Sequence, residues 1–351
     1  MQAVRFHGKN DIRLEEIPIP VCGRGQVKVR PAFVGICGTD LHEYLEGAYL
    51  IPTAPHPHTG EQAPVVIGHE FGGTVSEVGE GISGLQVGQR VVIQPILFDE
   101  TCAACQKGLI NCCRKGGFIG LSGWGGGLSE YIVVPSYSVF KIPDSISLEV
   151  AALIEPLAVA WHAVTLSRFQ PNDSALILGG GPIGLAVLQV LKARGARKVI
   201  LSEIATKRKQ YAADFGADLI LDPTKDDVGA RCLELFGGEG VQVVFDAVGR
   251  QSSIDTALVA CRPRGVICNI AIWSEEAVIQ PNYFCLNERT YVGSATYSAG
   301  DFQQVIDTIA LGLLKPDPMI TLVIGLEEVE ERGFKTLIND KDSHVKIIVK
   351  V

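Results

Sequence analysis

The sequence predicts an α/β protein of two domains, a mostly β domain of antiparallel strands followed by a doubly wound parallel sheet. Three observations predict it. The 351 residues exceed the roughly 250 to 300 at which a single hydrophobic core stops growing. Short alternating runs give way near residue 150 to a repeat of apolar strand and helix patterns. A glycine-rich turn, SALILGGGPIG at 174–184, opens that repeat. With 47% apolar and 20% charged residues the chain can fill two cores. Its 39 glycines, about 11% of the chain against a usual 7% or so, point to tight turns and close backbone approaches.

In the first half, runs at 26–30 (QVKVR), 72–78, 90–94 (RVVIQ) and 130–134 alternate over a few residues, the period of half-buried strands. Between 43 and 64 the chain carries four prolines and two glycines. Such an excursion shapes a site more often than it joins two strands. Tyr44, Tyr49, Leu50 and Ile51 within it are candidates for an apolar wall, while His56 and His58, set between prolines, read as loop structure.

EVAALIEPLAVAWHAV at 149–164 reads as helix interrupted near Pro156. Strands follow at 175–178, 198–202, 218–221, 241–245 and 265–270, alternating with helices at 183–194, 206–215, 227–236 and 252–260. These strands are near-continuously apolar, as a parallel sheet covered on both faces requires. A helix at 301–311 and a last strand at 344–351 read as a tail returning to the first domain.

Gly179, Gly181 and Gly184 hold the G-x-G-x-x-G spacing after a strand and at the opening of a helix, with Pro182 and Ile183 between the second and third. The first glycine makes the turn, the second admits pyrophosphate to the backbone, and the third lets helix meet sheet. Glu203 ends the next strand nineteen residues on, where a carboxylate accepts the ribose hydroxyls and repels a 2′-phosphate. This predicts a Rossmann unit preferring NAD to NADP, although Arg208 nearby blurs the preference. Asp246 and Ile270, at carboxyl ends of later strands, are further candidates for cofactor contact, Asp246 being equally readable as the start of a helix.

A formal charge of −8 with no basic stripe argues against nucleic-acid or anionic-membrane partners. The opening MQAVRFHGKNDIRLEE lacks the pattern of a secretory signal, and no apolar run reaches the roughly 18 residues of a membrane span. A cytoplasmic location is the expectation, and there the ten cysteines are ligands sooner than disulfides.

GHEFGG at 68–73 sets His69 and Glu70 between glycines, while Cys37 lies in GICGTDLH and Glu155 in the helical stretch. A thiolate, an imidazole and a carboxylate make a reasonable zinc set with a position left open. Each has a plainer alternative as a buried thiol, a cap or an ion-pair carboxylate.

GHEFGG with glycine again at Gly79, the cysteine-rich lobe, and GGGPIG together resemble the zinc-containing medium-chain alcohol and polyol dehydrogenases over essentially the whole chain. The loop IPTAPHPHTGEQAPVVIGHE is similar to the branch acting on 2,3-butanediol, more than to sorbitol or threonine dehydrogenases. The resemblance implies a GroES-like catalytic domain at 1–156 with its cysteine lobe at 96–116, an NAD-binding Rossmann domain at 157–296, and a return to the catalytic domain at 297–351. It implies a catalytic zinc on Cys37, His69 and Glu155, with Glu70 beside the shell, Thr39 as relay hydroxyl and His42 passing the proton toward solvent. It implies a second, structural zinc where four cysteines stand in the family. Here those positions hold Asp99, Cys102, Cys105 and Cys113, and the aspartate is a departure that zinc chemistry tolerates.

The activity implied is NAD-dependent oxidation of a small secondary alcohol or vicinal diol, with 2,3-butanediol and acetoin first and R configuration at the oxidised carbon. Sorbitol- or xylitol-type polyol and threonine dehydrogenases are the runners-up. A nucleotide-binding protein without catalysis is the alternative of a different class. Family members are dimers or tetramers, and 265–270 with 291–297 is the candidate edge for subunit contact.

Overall fold

The structure, a computed structural model, describes Met1–Val351. The chain divides into two compact units, one of Met1–Glu155, Ser298–Gly312 and Pro316–Val351, the other of Pro156–Tyr297 and Leu313–Lys315.

Unit 1 begins with a hairpin that the sequence reading left unassigned, β1 (Gln2–Gly8) and β2 (Asp11–Glu16). Ala3, Val4, Phe6 and Ile12 from it are buried. Then come β3 (Gln26–Gly35), helix α1 (Gly38–Glu46), β4 (Val65–Val66), β5 (Glu70–Val78), β6 (Arg90–Ile93) and β7 (Ile96–Leu97). After the cysteine lobe follow β8 (Gly117–Phe118), β9 (Ile132–Pro135), β10 (Val139–Lys141) and helix α2 (Leu148–Ala151). β3 is the hub of the larger sheet, pairing antiparallel with β5 and β9. Its alternating burial carries Val27, Val29 and Val34 into a core with Phe71, Ile93 and Leu128.

Helix α3 (Ile154–Leu166) crosses the division between the units. The helical break expected near Pro156 falls at residues 152–153 instead. Proline is tolerated in a first turn, whose N–H groups lack helical partners anyway, so Pro156 sits inside α3 rather than ending it.

Unit 2 then alternates β11 (Ser174–Leu178), α4 (Pro182–Ala193), β12 (Lys198–Ser202), α5 (Thr206–Asp214), β13 (Leu219–Leu221), α6 (Val228–Leu235), β14 (Val241–Asp246), α7 (Gln251–Ala260) and β15 (Cys261–Asn269). A short α8 (Asn282–Cys285) and β16 (Thr290–Gly293) complete it. The six strands run parallel in the order β13-β12-β11-β14-β15-β16. β11, next to the centre, is buried at every residue. Cys232, Cys261 and Cys268 pack as small apolar groups in the interior of this unit. Of the candidate edge at 265–270 with 291–297, the first part falls at the end of β15 and is covered by β16, while the second begins in β16, which is the edge of the sheet.

The tail supplies α9 (Ala299–Ala310), β17 (Ile320–Gly325), a π-helical turn at Val329–Phe334, α10 (Lys335–Asn339) and β18 (Lys346–Lys350). β18 pairs antiparallel with β3, placing the last strand of the chain in the sheet of unit 1. No helix is long and apolar enough to cross a membrane.

Candidate active site

Helix α1 starts at a thiol. Cys37 is its N-cap, and Asp40 three residues on accepts the Cys37 amide through Oδ2 at 2.9 Å. The other Asp40 oxygen faces Nδ1 of His69 at 3.5 Å, and neither atom has a hydrogen-bond partner although both are buried. His69 enters from the bend before β5, where Gly68 has φ +96°, a conformation open to glycine and costly for most other residues.

Cys37, His69 and Glu70 each offer a donor atom, all within 4.8 Å of one another. Burial alone opposes charge on His69, yet the negative Asp40 and Cys37 beside it raise its pKa well above the ordinary value. Asp40, buried beside the imidazole, makes this a point that favours a bound cation. Sulfur, nitrogen and oxygen donors around it suit zinc, and a carboxylate behind the ligating imidazole is the arrangement that fixes such a ring.

Glu70 is already engaged. Lys346 Nζ, only 2% exposed at its side chain, donates to both Glu70 oxygens at 2.6 and 2.8 Å and to the Ile36 carbonyl at 3.2 Å. Its three N–H donors are thereby satisfied. A Cβ on Gly35 would lie 2.1 Å from Glu70 Oε2, so only glycine leaves room for this carboxylate. Glu155, expected as the third ligand, is buried at 4% exposure and lies outside the tight donor set. Burial works against the Lys346 charge, but Glu70, Cys37 and, more weakly, Glu155 outweigh it and raise its pKa. The candidate acids therefore gather around this ammonium.

Thr39 presents its hydroxyl 3.6 Å from Cys37 Sγ. His42, one turn further along α1, is half exposed and faces Glu46 at 3.5 Å. Phe118 stands edge-on to His69, ring centres 6.0 Å apart. The same ring lines a cavity of about 300 Å³ together with Tyr49, Leu50, Leu97 and Leu121. His56 uses Nδ1 to accept the amides of His58 and Thr59, and His58 packs on Trp124, so both serve the loop.

In the lobe, Asp99, Cys102, Cys105 and Cys113 converge as one donor set. Cys102 Sγ lies 3.5 Å from Cys105 Sγ and 3.9 Å from Cys113 Sγ. Zinc–sulfur bonds of about 2.3 Å in a tetrahedron set sulfurs roughly 3.75 Å apart, so the spacing fits the metal. Asp99 Oδ1 accepts the amides of Thr101 and Cys102 and is 3.4 Å from Cys113 Sγ. Amides of Cys105 and Arg114 bring the Cys102 thiol down to about 7. Burial and the neighbouring thiols push Cys105 up to about 12. Cys112 is exposed and stands apart from the set.

In unit 2 the three motif glycines do different jobs. Gly179 has φ +93°, and a Cβ on Gly184 would lie 1.9 Å from the Gly179 carbonyl oxygen. A Cβ on Gly181 would meet nothing nearer than Arg208 Nη1 at 3.8 Å, leaving an open approach beside a guanidinium. Gly181 is also the N-cap of α4, with Pro182 and Ile183 in the first turn. Glu203 accepts the Gly180 amide at 2.7 Å and those of Ile204 and Ala205, locking the glycine turn to the end of β12.

Asp246, open to two roles, cofactor contact and the start of a helix, takes the second. It is wholly buried, with Oδ1 taking the amides of Val248 and Gly249 and Oδ2 the Ser253 hydroxyl, so it builds the turn into α7. Ile270, half-buried, follows β15 with its amide on the Asp246 carbonyl.

A GroES-like β unit with a Cys–His–Glu centre and a three-thiol lobe, joined in sequence to a parallel nucleotide fold, defines a zinc-type dehydrogenase. The zinc-binding dehydrogenase pattern matches residues 182–310 and the alcohol dehydrogenase GroES-like domain residues 23–144. The (R,R)-butanediol dehydrogenase of Neisseria gonorrhoeae is 42% identical, with 99% of each chain covered. That of Bacillus subtilis is also 42% identical, over 100% of this chain and 99% of its own. The crystal structure of 2R,3R-butanediol dehydrogenase from Bacillus subtilis superposes with a TM-score of 0.94 at 41% identity, covering 100% of this chain and 99% of that one. The chain belongs to the zinc-binding medium-chain dehydrogenase family, close to its (R,R)-butanediol dehydrogenases. It is an NAD-dependent oxidoreductase acting on a small secondary alcohol or diol.

Asp40, Lys346 and Phe118 escaped the sequence reading. Asp40 alone had a local signal, an acid three residues after a potential cap.

Two outcomes follow from this geometry. Lys346→Met leaves Glu70 buried and unpaired, which should cost about 3–5 kcal/mol of unfolding free energy in urea at pH 7, and adding Glu70→Gln should restore most of it. Because the pKa of Lys346 is raised in the fold, its contribution is complete below the unfolded value of about 10.4 and lost as pH climbs through the folded one. Wild-type stability should therefore fall above about pH 10 more steeply than that of the double variant. Cys105→Ser should remove one metal equivalent per chain and lower the melting temperature more than turnover of the folded fraction, since such metals contribute folding energy.

Proposed function

We propose that this chain interconverts 2,3-butanediol, R at the oxidised carbon, and acetoin with NAD. The supporting observation is the meeting of Cys37, His69 and Glu70, with Phe118 standing between His69 and a small cavity that its ring lines. Likeness to butanediol dehydrogenases along the whole chain favours the diol over larger polyols.

Cys37 and His69, with Glu155 or Glu70 completing the set, would hold zinc. When bound, zinc supplies Lewis-acid charge at the alcohol oxygen and NAD the acceptor of the carbinol hydride. Asp40 keeps the His69 ring oriented toward its partner. Thr39 Oγ1, next to Cys37 Sγ, would receive the proton of the substrate hydroxyl while releasing its own toward His42. His42, on the same helix face one turn on, hands it to solvent. Tyr49 and Leu50 contact the methyl ends, and Phe118 keeps water from the imidazole. In unit 2, Glu203 accepts the ribose hydroxyls with the lone pairs its backbone amides leave free, and the α4 N-terminus receives the pyrophosphate. Asp99, Cys102, Cys105 and Cys113 would hold a second, structural zinc. A homo-oligomer would extend the parallel sheet at β16, whose open edge is flanked by exposed Tyr283, Leu286 and Tyr291.

The deciding assay follows NADH formation over butanediol stereoisomers, sorbitol, xylitol and threonine, with NADP in parallel. The (R,R) diol with NAD should give the highest kcat/KM, and His69→Ala should abolish turnover while NAD still binds by titration. A preference for sorbitol or threonine would overturn the substrate assignment. In a pH–rate profile, His42→Ala should slow oxidation more at neutral pH than at high pH, where solvent base takes the proton directly. An unchanged ratio across pH removes His42 from the relay.

A further inference from the structure

Glu43 is a buried carboxylate that the mechanism leaves unused. It is 1% exposed and sits in the last turn of α1, which carries no basic residue. A negative charge at that end of a helix meets the unfavourable end of the backbone dipole, so helix formation does not account for an acid here. Its partners do. Three successive amides close on it, Tyr49 N at 2.9 Å, Leu50 N at 2.7 Å and Ile51 N at 3.1 Å. Successive N–H groups turned inward form an anion-binding concavity, and the chain fills it with its own side chain. Charge-assisted bonds of this kind are about twice as strong as neutral ones.

The chain returns to its own helix through Gly47, whose amide reaches the Glu43 carbonyl and whose φ is +101°. Ile51, 2% exposed, is pinned in the core of unit 1. Tyr49 and Leu50 are left projecting at 79% and 43% exposure, and both line the cavity bordered by Phe118, the ring that stands against His69. On the same helix, one turn earlier, Asp40 caps Cys37 and faces His69. Asp40 and Glu43 are both buried and three residues apart, hence on one face.

We propose that Glu43 is a positioning residue that fixes the Tyr49–Leu50 wall relative to Cys37 and His69 and so sets which diols the cavity accepts. This rests on the reading of that cavity as the substrate site. One rigid helix carries both the metal-facing carboxylate and the wall-holding carboxylate, so wall and ligands keep a constant separation. Losing the clamp frees two projecting side chains without removing any group that touches the reacting atoms.

The test compares wild type, Glu43→Gln and Glu43→Asp, each loaded with zinc, on 2,3-butanediol and the longer 3,4-hexanediol. Both variants should raise KM for 2,3-butanediol about tenfold and shift the kcat/KM ratio toward hexanediol by a similar factor, as a methylene-sized change in a pocket does. The fall in kcat should stay below about threefold, with zinc content and NAD affinity held. Amide exchange at Tyr49, Leu50 and Ile51 should rise in the variants, a readout independent of turnover and available from the more soluble of the two. Unchanged KM and selectivity alongside faster exchange would overturn the proposal. A loss shared equally by both diols together with reduced zinc would overturn it too, by making Glu43 merely structural. Wild-type enzyme inactive on every diol would instead refute the substrate reading.

Discussion

An ammonium buried among acids organises unit 1. Lys346 lies 276 positions from Glu70 in sequence yet meets both of its oxygens, and it also takes the carbonyl just before Cys37. Isolating such a charge from water is costly, and only complete pairing offsets the loss. The pairing of the last strand with β3 therefore ties the segments bearing Cys37 and His69 to one another. A cation brought beside Glu70 would draw on the carboxylate that Lys346 holds, so the candidate metal site and the last strand share one electrostatic balance.

Helix α1 transmits that balance. Its cap is a thiol and its first-turn acid spans the Cys37 amide and His69. Its exposed face carries His42, and its far end grips the loop that borders the cavity. One nine-residue helix thus ties the Cys37 cap, the His69 imidazole and the Tyr49–Ile51 segment to a single rigid element, as separate loops would not. Unit 2 follows a different logic, with precision coming from backbone proximity. Gly184 against the Gly179 carbonyl and Glu203 on the Gly180 amide leave the turn little freedom.

What the sequence disclosed depended on how local the cause was. The parallel sheet was readable because each strand is apolar throughout, and the nucleotide turn because three glycines must recur at fixed spacing. Cys37 and His69 were visible as residue types, but their company was not. Lys346 reads as one more charge on a terminal strand, and only the pairing of β18 with β3 gives it Glu70. Helix α1 was hidden because it opens with Gly38 and Thr39, poor helix formers, and runs into the proline-rich stretch. Asp246 left two readings open in the sequence. The end of a parallel strand is where ligands gather, yet the turn that follows engages both its oxygens. Pro156 misled, because a breaker in mid-helix is an ordinary residue in a first turn.

The cysteines of unit 2 have a practical consequence. Burial pushes Cys232, Cys261 and Cys268 up to about 12, so at neutral pH they carry almost no thiolate, the form that reacts. Cys112 and Cys285 face solvent. Alkylating dyes or peroxide would therefore leave the three thiols inside the nucleotide fold silent while Cys285 on the surface of that fold, and Cys112 in the other unit, respond. A label at Cys285 would report on β16 and its surroundings while the parallel sheet beneath kept its native chemistry.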